Sequence, residues 1–542
     1  MRPQYWLYFI LIFAFGIRIA GINYGLPLWL IGDEPPFTTA ALKMLELKTI
    51  LPVLHAEAFK PTLYFPPYLA YIYLLPFSVL IGLKYILFSG QFIEFKNYLI
   101  SNLSDFFIIA RLLSALFGTA TVYLVYRIAK NIFHEERSAL LAAFFLATSL
   151  LHVYFSAVAR DWILAVFLFA LVIFTLSHPN ISFRRRYLLS AVIAGFAFGV
   201  SIIAGFPMIL MLLFYFFYEQ RSLRDMFKEK ILYVAFLIFL TLAGLSIAIY
   251  PYGFHFAGDN SIHVMKSFIG FFDSLANFLK SDFLSEPILL IGMLIGFIVA
   301  YFRRRDIFYS FSIFMLIYAT IFYWLYHYEH RFTIYLFPFF AILAGYGCSA
   351  FLGTLTSRRI FNILLVVIMF LPLVSSSYFG WLLIKNDSRI MARNYLETHI
   401  PAESKVLVYA EMTRLPSLAA AIKEQAFLDP NSLRHIDNAE AALTTTSQKS
   451  FHALNLYAVK NNILYENIHD YARKNHYEYL MIDPYFSGFG DLHPLRKNGT
   501  LIATFGEHNG EEIPRDGRFG NIINLFTMQQ FGPRIEIYKL HF

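Results

Sequence analysis

Charge is scarce in this 542-residue chain: 15% of its residues are Asp, Glu, Lys or Arg, where soluble domains carry about a quarter. That scarcity excludes a soluble globular protein. Cysteine is nearly absent as well. The single Cys348 lies in an apolar segment, so no intrachain disulfide exists and the redox compartment is left undefined. No internal repeat of the kind common in transporters is found. The stretch after about residue 385 lacks a glycine-rich phosphate loop, metal-ligand spacing and a nucleophile elbow, so its motifs assign it no chemistry.

Apolar residues take the place of the missing charge. The chain is 58% hydrophobic with a mean hydropathy of +0.56, the composition of a polytopic membrane protein. Its 60 Phe and 36 Tyr gather near the ends of apolar runs, as an interfacial aromatic belt requires. The net charge of +8 does not point to nucleic acid, because Lys and Arg cluster between apolar runs in the positive-inside pattern.

The run Tyr5 to Asn23 has spanning length, with Arg2 before it. Gly21-Ile22-Asn23-Tyr24-Gly25 is a poor cleavage site, which predicts an uncleaved first span with its N-terminus inside. Residues 24–65 form an outer loop. Glu34 before Pro35 and Pro36 predicts a capped helix start, and Phe37 to Leu47 an amphipathic helix on the membrane. Residues 68–88 are apolar enough to cross, but crossing would put Arg127, Lys130, Arg137 and Arg184-Arg185-Arg186 outside. A re-entrant or surface-lying helix, favoured by Pro66, Pro67 and Pro76, keeps the basic loops inside. Further spans are expected at about 105–129, 138–156, 162–179, 187–203, 206–219, 231–250, 286–302, 307–326, 333–353 and 359–382. The pair between 187 and 219 is short and broken near Gly205-Phe206-Pro207.

The fold expected is a polytopic α-helical membrane protein with about 11 transmembrane helices over residues 1–384, its outer loop 24–65 carrying the chemistry. Residues 385–542 are expected to form a soluble, extracytoplasmic α/β domain, with helices over Asp387 to His399 and Ile468 to Asn475 and strands over Lys405 to Ala410 and Tyr477 to Ile482.

Four places on the outer side interrupt apolar sequence with ionisable residues: Asp33-Glu34, Lys60, Arg160-Asp161 and His327-Tyr328-Glu329-His330-Arg331. Such residues beside a bilayer are functional candidates, because burying them unpartnered is costly. Each has a second reading. Asp33-Glu34 also suits helix capping, Lys60 and Arg331 suit interface anchoring, and Arg160-Asp161 suits a structural ion pair. Two His and one Glu within four residues are a weak metal signal, and no metal site is assigned.

These residues carry a resemblance. Asp33-Glu34 after the first span, Lys60-Pro61-x-Leu63-Tyr64, the run Ala110-Arg111-Leu112-Leu113-Ser114-Ala115-Leu116-Phe117-Gly118-Thr119, Ala159-Arg160-Asp161 at a span end and Arg331-Phe332 before Phe337-Pro338 resemble membrane glycosyltransferases of the GT-C type. The branch is the protein O-mannosyltransferase and aminoarabinose transferase superfamily, glycosyltransferase family 39-like, over about residues 1–380. The resemblance implies a sugar donor on a polyprenyl or dolichyl phosphate, transferred with inversion to a protein, lipid or glycan acceptor at the extracytoplasmic face of the plasma or inner membrane. Asp33 would be the general base and Lys60 would bind the donor phosphate, with Arg331, Arg160 and His330 sharing that task. Glu34 and Asp161 would complete the catalytic group, Asp161 orienting the acceptor or a cation. No cofactor is demanded, and a divalent cation is compatible. The chain departs from the pattern at Pro36-Phe37, after the acidic pair, and at Ala204-Gly205-Phe206, where many relatives have a lysine. A lipid-linked oligosaccharide transferase or ligase, or a lipid or sugar transporter such as a flippase, are the competing functions.

Overall fold

The computed structural model describes residues 3–60, 62–254, 268–321, 330–433, 449–486, 488, 490, 492–507 and 521–542. The chain opens with α1 (Pro3–Ala20), α2 (Pro35–Leu47), the one-turn α3 (Ala56–Phe59), α4 (Tyr68–Leu87), α5 (Phe92–Ser101), α6 (Ser104–Phe133), α7 (Glu136–Thr148), α8 (Leu150–Ser156), α9 (Asp161–Ser177) and α10 (Phe183–Phe198). It continues with α11 (Pro207–Leu213), α12 (Leu223–Lys228), α13 (Lys230–Ile249), α14 (Phe268–Ser285), α15 (Pro287–Arg303), α16 (Arg305–Thr320), α17 (Phe337–Gly353) and α18 (Arg358–Ile384). Among the described residues, six helical runs are long and apolar enough to cross a membrane, or up to eight if two bent pairs each count as one span. The expected count of about eleven is not reached on that measure. The reason is local: α9, α10 and α16 have 17, 16 and 16 residues, below the roughly 20 needed to span alone.

Two glycines let the central helices approach. A methyl on Gly347 of α17 would overlap the backbone of Gly292 and Gly296 of α15, and one on Gly296 would overlap the carbonyl of Leu343. Small residues at such crossings allow the close van der Waals packing that drives helix association in lipid.

The break between α7 and α8, a bend of 62°, is held by two ionisable side chains, the buried Arg18 and the half-buried Glu286. Arg18 of α1 donates from Nη1 to Ala147 O at 3.2 Å and from Nη2 to Leu146 O at 3.2 Å, carbonyls left open where α7 ends. Glu286 accepts at the start of α8 from Leu151 N at 3.2 Å and from the Ser149 hydroxyl at 2.9 Å. A cation at a helix C-terminus and an anion at an N-terminus each complement the local dipole and satisfy orphan backbone groups.

Helix α4 runs unbroken through Pro76, so the re-entrant form expected for 68–88 is not what the chain adopts. Length and hydropathy alone would let α4 cross, but its contacts keep both ends on the face where α1 ends. Tyr68 N bonds Gly199 O at the close of α10, and Lys84 pairs at 2.5 Å with Asp105 at the start of α6. The start of α6 lies on that face because Arg111, two turns in, reaches the carbonyls of Ile22 and Tyr24 just past α1. From α5, Lys96 then pairs with Glu46 of α2 at 2.8 Å. The surface-lying alternative for 68–88 accounts for these contacts.

Beyond α18 come α19 (Ser388–His399) and a five-stranded sheet of β1 (Lys405–Tyr409), β2 (His452–Asn455), β3 (Tyr479–Ile482), β4 (Gly499–Phe505) and β5 (Ile535–Leu540), with α20 (Ala419–Leu428) after β1. The strand order is β2-β1-β3-β5-β4, with β1 parallel to β2 and β3, and β5 antiparallel to β3 and β4. Alternation puts Leu407, Leu454 and Leu480 into one apolar cluster and Val406, Val408 and Met481 into another, so both faces are covered. This unit is tied back to the helices through Tyr24 Oη, which donates to Asp387 Oδ2 at 2.9 Å, and through Tyr378 Oη, which donates to Met528 O at 2.7 Å.

Candidate functional site

The first residues after α1 descend through Trp29, in the left-handed region at φ 51°, to Gly32-Asp33-Glu34 at the head of α2. Glu34 was expected to cap that helix. Its side chain makes no capping hydrogen bond, and Pro35 and Pro36 open the helix where amide donors are dispensable. The carboxylate turns the other way. It is wholly buried and takes Arg111 Nε at 2.8 Å and Nη2 at 2.6 Å in a two-point pair, while Oε1 also accepts Ala159 N at 2.5 Å. Arg111, equally buried, spends Nη1 on Ile22 O at 2.9 Å and Tyr24 O at 2.6 Å. One fork thus fixes the exit of α1, the start of α2, and the segment between α8 and α9. Sequence reasoning missed Arg111 as a site residue, although it stands in the run that carries the resemblance.

That fixation aims the neighbouring residues at each other. Asp33, next to Glu34, pairs through Oδ2 with Arg160 Nη2 at 2.5 Å and with Arg331 Nη1 at 3.6 Å. Its Oδ1 lies 3.5 Å from Tyr64 Oη. Both guanidinium groups lie 5.6 Å from the Trp162 ring, within the range of a cation–π contact. Arg160 is 2% exposed and the Arg331 side chain 18%, whereas the Asp33 side chain keeps 30% of its surface open: the carboxylate is more open to solvent than either guanidinium group. Asp161 opens α9 and is buried, its Oδ1 without a hydrogen-bond partner among the described residues.

Lys60 stands apart. It closes α3 on the exposed rim, paired with Glu57 at 2.6 Å and 4.6 Å from the Tyr252 ring, and the hydrogen bond to Glu57 holds its pKa above the ordinary lysine value. The structure does not bring it into contact with Asp33. His327, Tyr328 and Glu329 lie outside the described residues, as does the side chain of His330, whose backbone opens the 3₁₀ turn His330–Leu336. Among the described residues no group of three or more His, Cys, Asp or Glu is placed to hold a metal ion.

The arrangement is a carboxylate open to solvent with two guanidinium groups beside it, at the edge of a helical membrane bundle. It can accept a proton and bind an anion within one side chain's reach.

Residues 92–247, from α5 to α13, match the family model described as dolichyl-phosphate-mannose-protein mannosyltransferase. The chain is thus similar to GT-C membrane glycosyltransferases, as its motifs suggested; the match ends short of the Asp33 loop. No curated protein matches the chain. Among solved structures, ArnT from Cupriavidus metallidurans bound to undecaprenyl phosphate is 12% identical with a TM-score of 0.48, over 98% of this chain and 98% of that one. The Archaeoglobus fulgidus oligosaccharyltransferase tethered with an acceptor peptide is 14% identical with a TM-score of 0.44, over 94% of this chain and 74% of that one. Arabinofuranosyltransferase AftD from Mycobacteria is 14% identical with a TM-score of 0.40, over 83% and 35%. Likenesses of that size assign neither a substrate nor a residue's role.

Proposed function

We propose that this protein is an inverting glycosyltransferase of the membrane, moving a sugar from a polyprenyl- or dolichyl-phosphate donor to a protein, lipid or glycan acceptor at the extracytoplasmic face. The observation that carries the reading is the pairing of Asp33 with Arg160 and Arg331 at the exit of α1. Asp33 takes the proton from the acceptor hydroxyl, the oxygen attacks the anomeric carbon from the face opposite the phosphate, and the carbon–oxygen bond to phosphate breaks. The polyprenyl phosphate leaves with the bonding pair.

Arg160 and Arg331 bind that phosphate and stabilise the charge it gains, as preorganised cations do. When phosphate arrives it competes for both guanidinium groups and releases the carboxylate to act as a base. Lys60 supplies a further cation from the rim, and His330 lies one residue before Arg331 to assist. Glu34 acts by positioning Asp33 and Ala159-Arg160, and Asp161 by orienting Arg160 or the acceptor. No resident cofactor enters this reading, and a divalent cation arriving with the donor phosphate is compatible with it. The match over 92–247 supports the class of reaction.

The test is Asp33→Asn in the purified full-length protein, with a polyprenyl-phosphate sugar and membrane extract as the acceptor source. The variant is expected to bind donor and to transfer at least roughly 10²-fold more slowly, the low end for loss of a general base. Transfer at the unmodified rate would overturn the reading.

A further inference from the structure

The opposite face of the bundle carries an aromatic-lined depression with two arginines that the transfer chemistry does not use. That α6, α9, α10, α15 and α16 have ends there follows from contacts: Arg186 at the start of α10 donates to Leu176 O near the end of α9, and Arg304, between α15 and α16, reaches Ile132 O near the end of α6. α11 finishes there in a π-helical turn, Phe214–Tyr218, and Gln220 just beyond takes the left-handed conformation at φ 53°. π-turns recur at functional sites. Here the turn leaves a depression of about 380 Å³ against the start of α16, whose lining includes Phe217, Arg221, Ser222, Arg305 and Tyr309 together with the acidic Asp306.

The charges around it are sorted. Three acids beside it are engaged: Glu219 pairs with Arg186 at 2.8 Å, Asp306 with Arg304 at 2.8 Å, and Asp225 accepts from Ser222 at the head of α12. Arg221 and Arg305 form no ion pair among the described residues. Their guanidinium groups rest instead near the Phe183 and Tyr301 rings, at 5.8 and 5.7 Å. Two uncommitted arginines thus flank an aromatic floor in which Phe217 and Tyr309 lie 5.5 Å apart. Exposed apolar side chains neighbour both arginines in the chain: Phe302 (72%) three residues before Arg305, and Leu223 (59%) and Phe227 (64%) two and six residues after Arg221. A soluble anion has no use for such neighbours. An amphiphile does, because its phosphate meets the arginines while its chains continue over the apolar side chains.

We infer that this depression binds the headgroup of an anionic phospholipid in the leaflet opposite the Asp33 site. The full-length protein in nanodiscs of equal phosphatidylglycerol and phosphatidylcholine, released into native mass spectrometry, should retain phosphatidylglycerol preferentially. Arg221→Gln/Arg305→Gln should cut that retention by roughly 30-fold, since each arginine near an anionic surface adds about fivefold. Arg221→Lys/Arg305→Lys should restore part of it, and Arg127→Gln, a half-buried arginine near the end of α6, should leave it unchanged. Gel-filtration profiles matching the unmodified protein separate loss of lipid from loss of fold. Equal retention by the unmodified protein and the double glutamine variant overturns the inference. So does displacement of the lipid by inorganic phosphate at about 10 mM, which would make it a soluble-anion site.

Discussion

Glu34 and Arg111 lie 77 positions apart and meet in a two-point ion pair with both side chains wholly buried. The pair takes no part in solvent and leaves no lone edge: the remaining Arg111 donor goes to carbonyls beyond α1, and Glu34 accepts a third hydrogen bond from Ala159. Satisfied in this way, it is a hinge pin for the segments that bring Asp33 to Arg160.

Removing one partner leaves an uncompensated buried charge, which costs about 3–5 kcal/mol. Arg111→Ala is therefore expected to lower the melting temperature of the detergent-solubilised protein strongly. Arg111→Lys keeps the charge but loses the fork, and should fold with reduced transfer. Full activity in the lysine variant would show that two-point geometry is not required.

The arginines beside Asp33 make a different prediction. Arg160→Gln and Arg331→Gln should each weaken donor use by roughly 10-fold to 10²-fold, through loss of a charge-assisted contact to phosphate worth about 1.5–3 kcal/mol. Lys60→Gln, at the exposed rim and ion-paired with Glu57, should do less. A kinetic titration against donor concentration checks the order; Lys60→Gln as the most damaging of the three would move the phosphate site toward the rim.

Acid should act on the sheet unit through Glu424. Burial pushes its pKa up, but hydrogen bonds from His452, Tyr471 and Tyr477 outweigh that and bring it down to about 2 from the ordinary 4.5. A depressed carboxylate contributes stability fully present above about pH 4.5 and lost as pH falls toward 2. Glu424→Gln should thus destabilise the full-length protein at pH 7 by up to about 3 kcal/mol. The gap between the thermal transitions of the unmodified and Glu424→Gln proteins should narrow between about pH 4.5 and 3. A gap constant over that range would rule out the linkage.

Sidedness follows from α4. With both its ends on the Asp33 face, a cysteine at position 134, after α6, and one at position 430, after α20, belong to opposite sides once Cys348 is replaced. An impermeant thiol reagent applied to intact cells should label position 430 and spare 134; the reverse pattern would invert the proposed orientation.

Composition alone determined that this chain is a helical membrane protein, because 15% charge and long apolar runs cannot make a soluble core. Hydropathy likewise placed most helix positions to within a few residues, α6, α9, α13 and α18 among them, since each is a local run of apolar side chains. In the last part, Lys405–Tyr409 and Tyr479–Ile482 were readable as strands, being short and apolar between polar turns, whereas β4 and β5 were not singled out, β4 half exposed and β5 carrying Glu536 and Lys539. Asp33 and Arg160 stood out as ionisable residues at span ends, yet nothing local says that they touch. Tertiary structure decided that Glu34 serves Arg111 rather than its own helix, that Arg18 and Glu286 hold the α7–α8 break, and that Lys60 stays at the rim. The first two are pairings between distant segments, fixed by which helices pack together, and the periodicity of a single segment carries no record of its partner; Lys60 pairs three residues away with Glu57, and only the packing around α3 leaves it outside the Asp33 cluster.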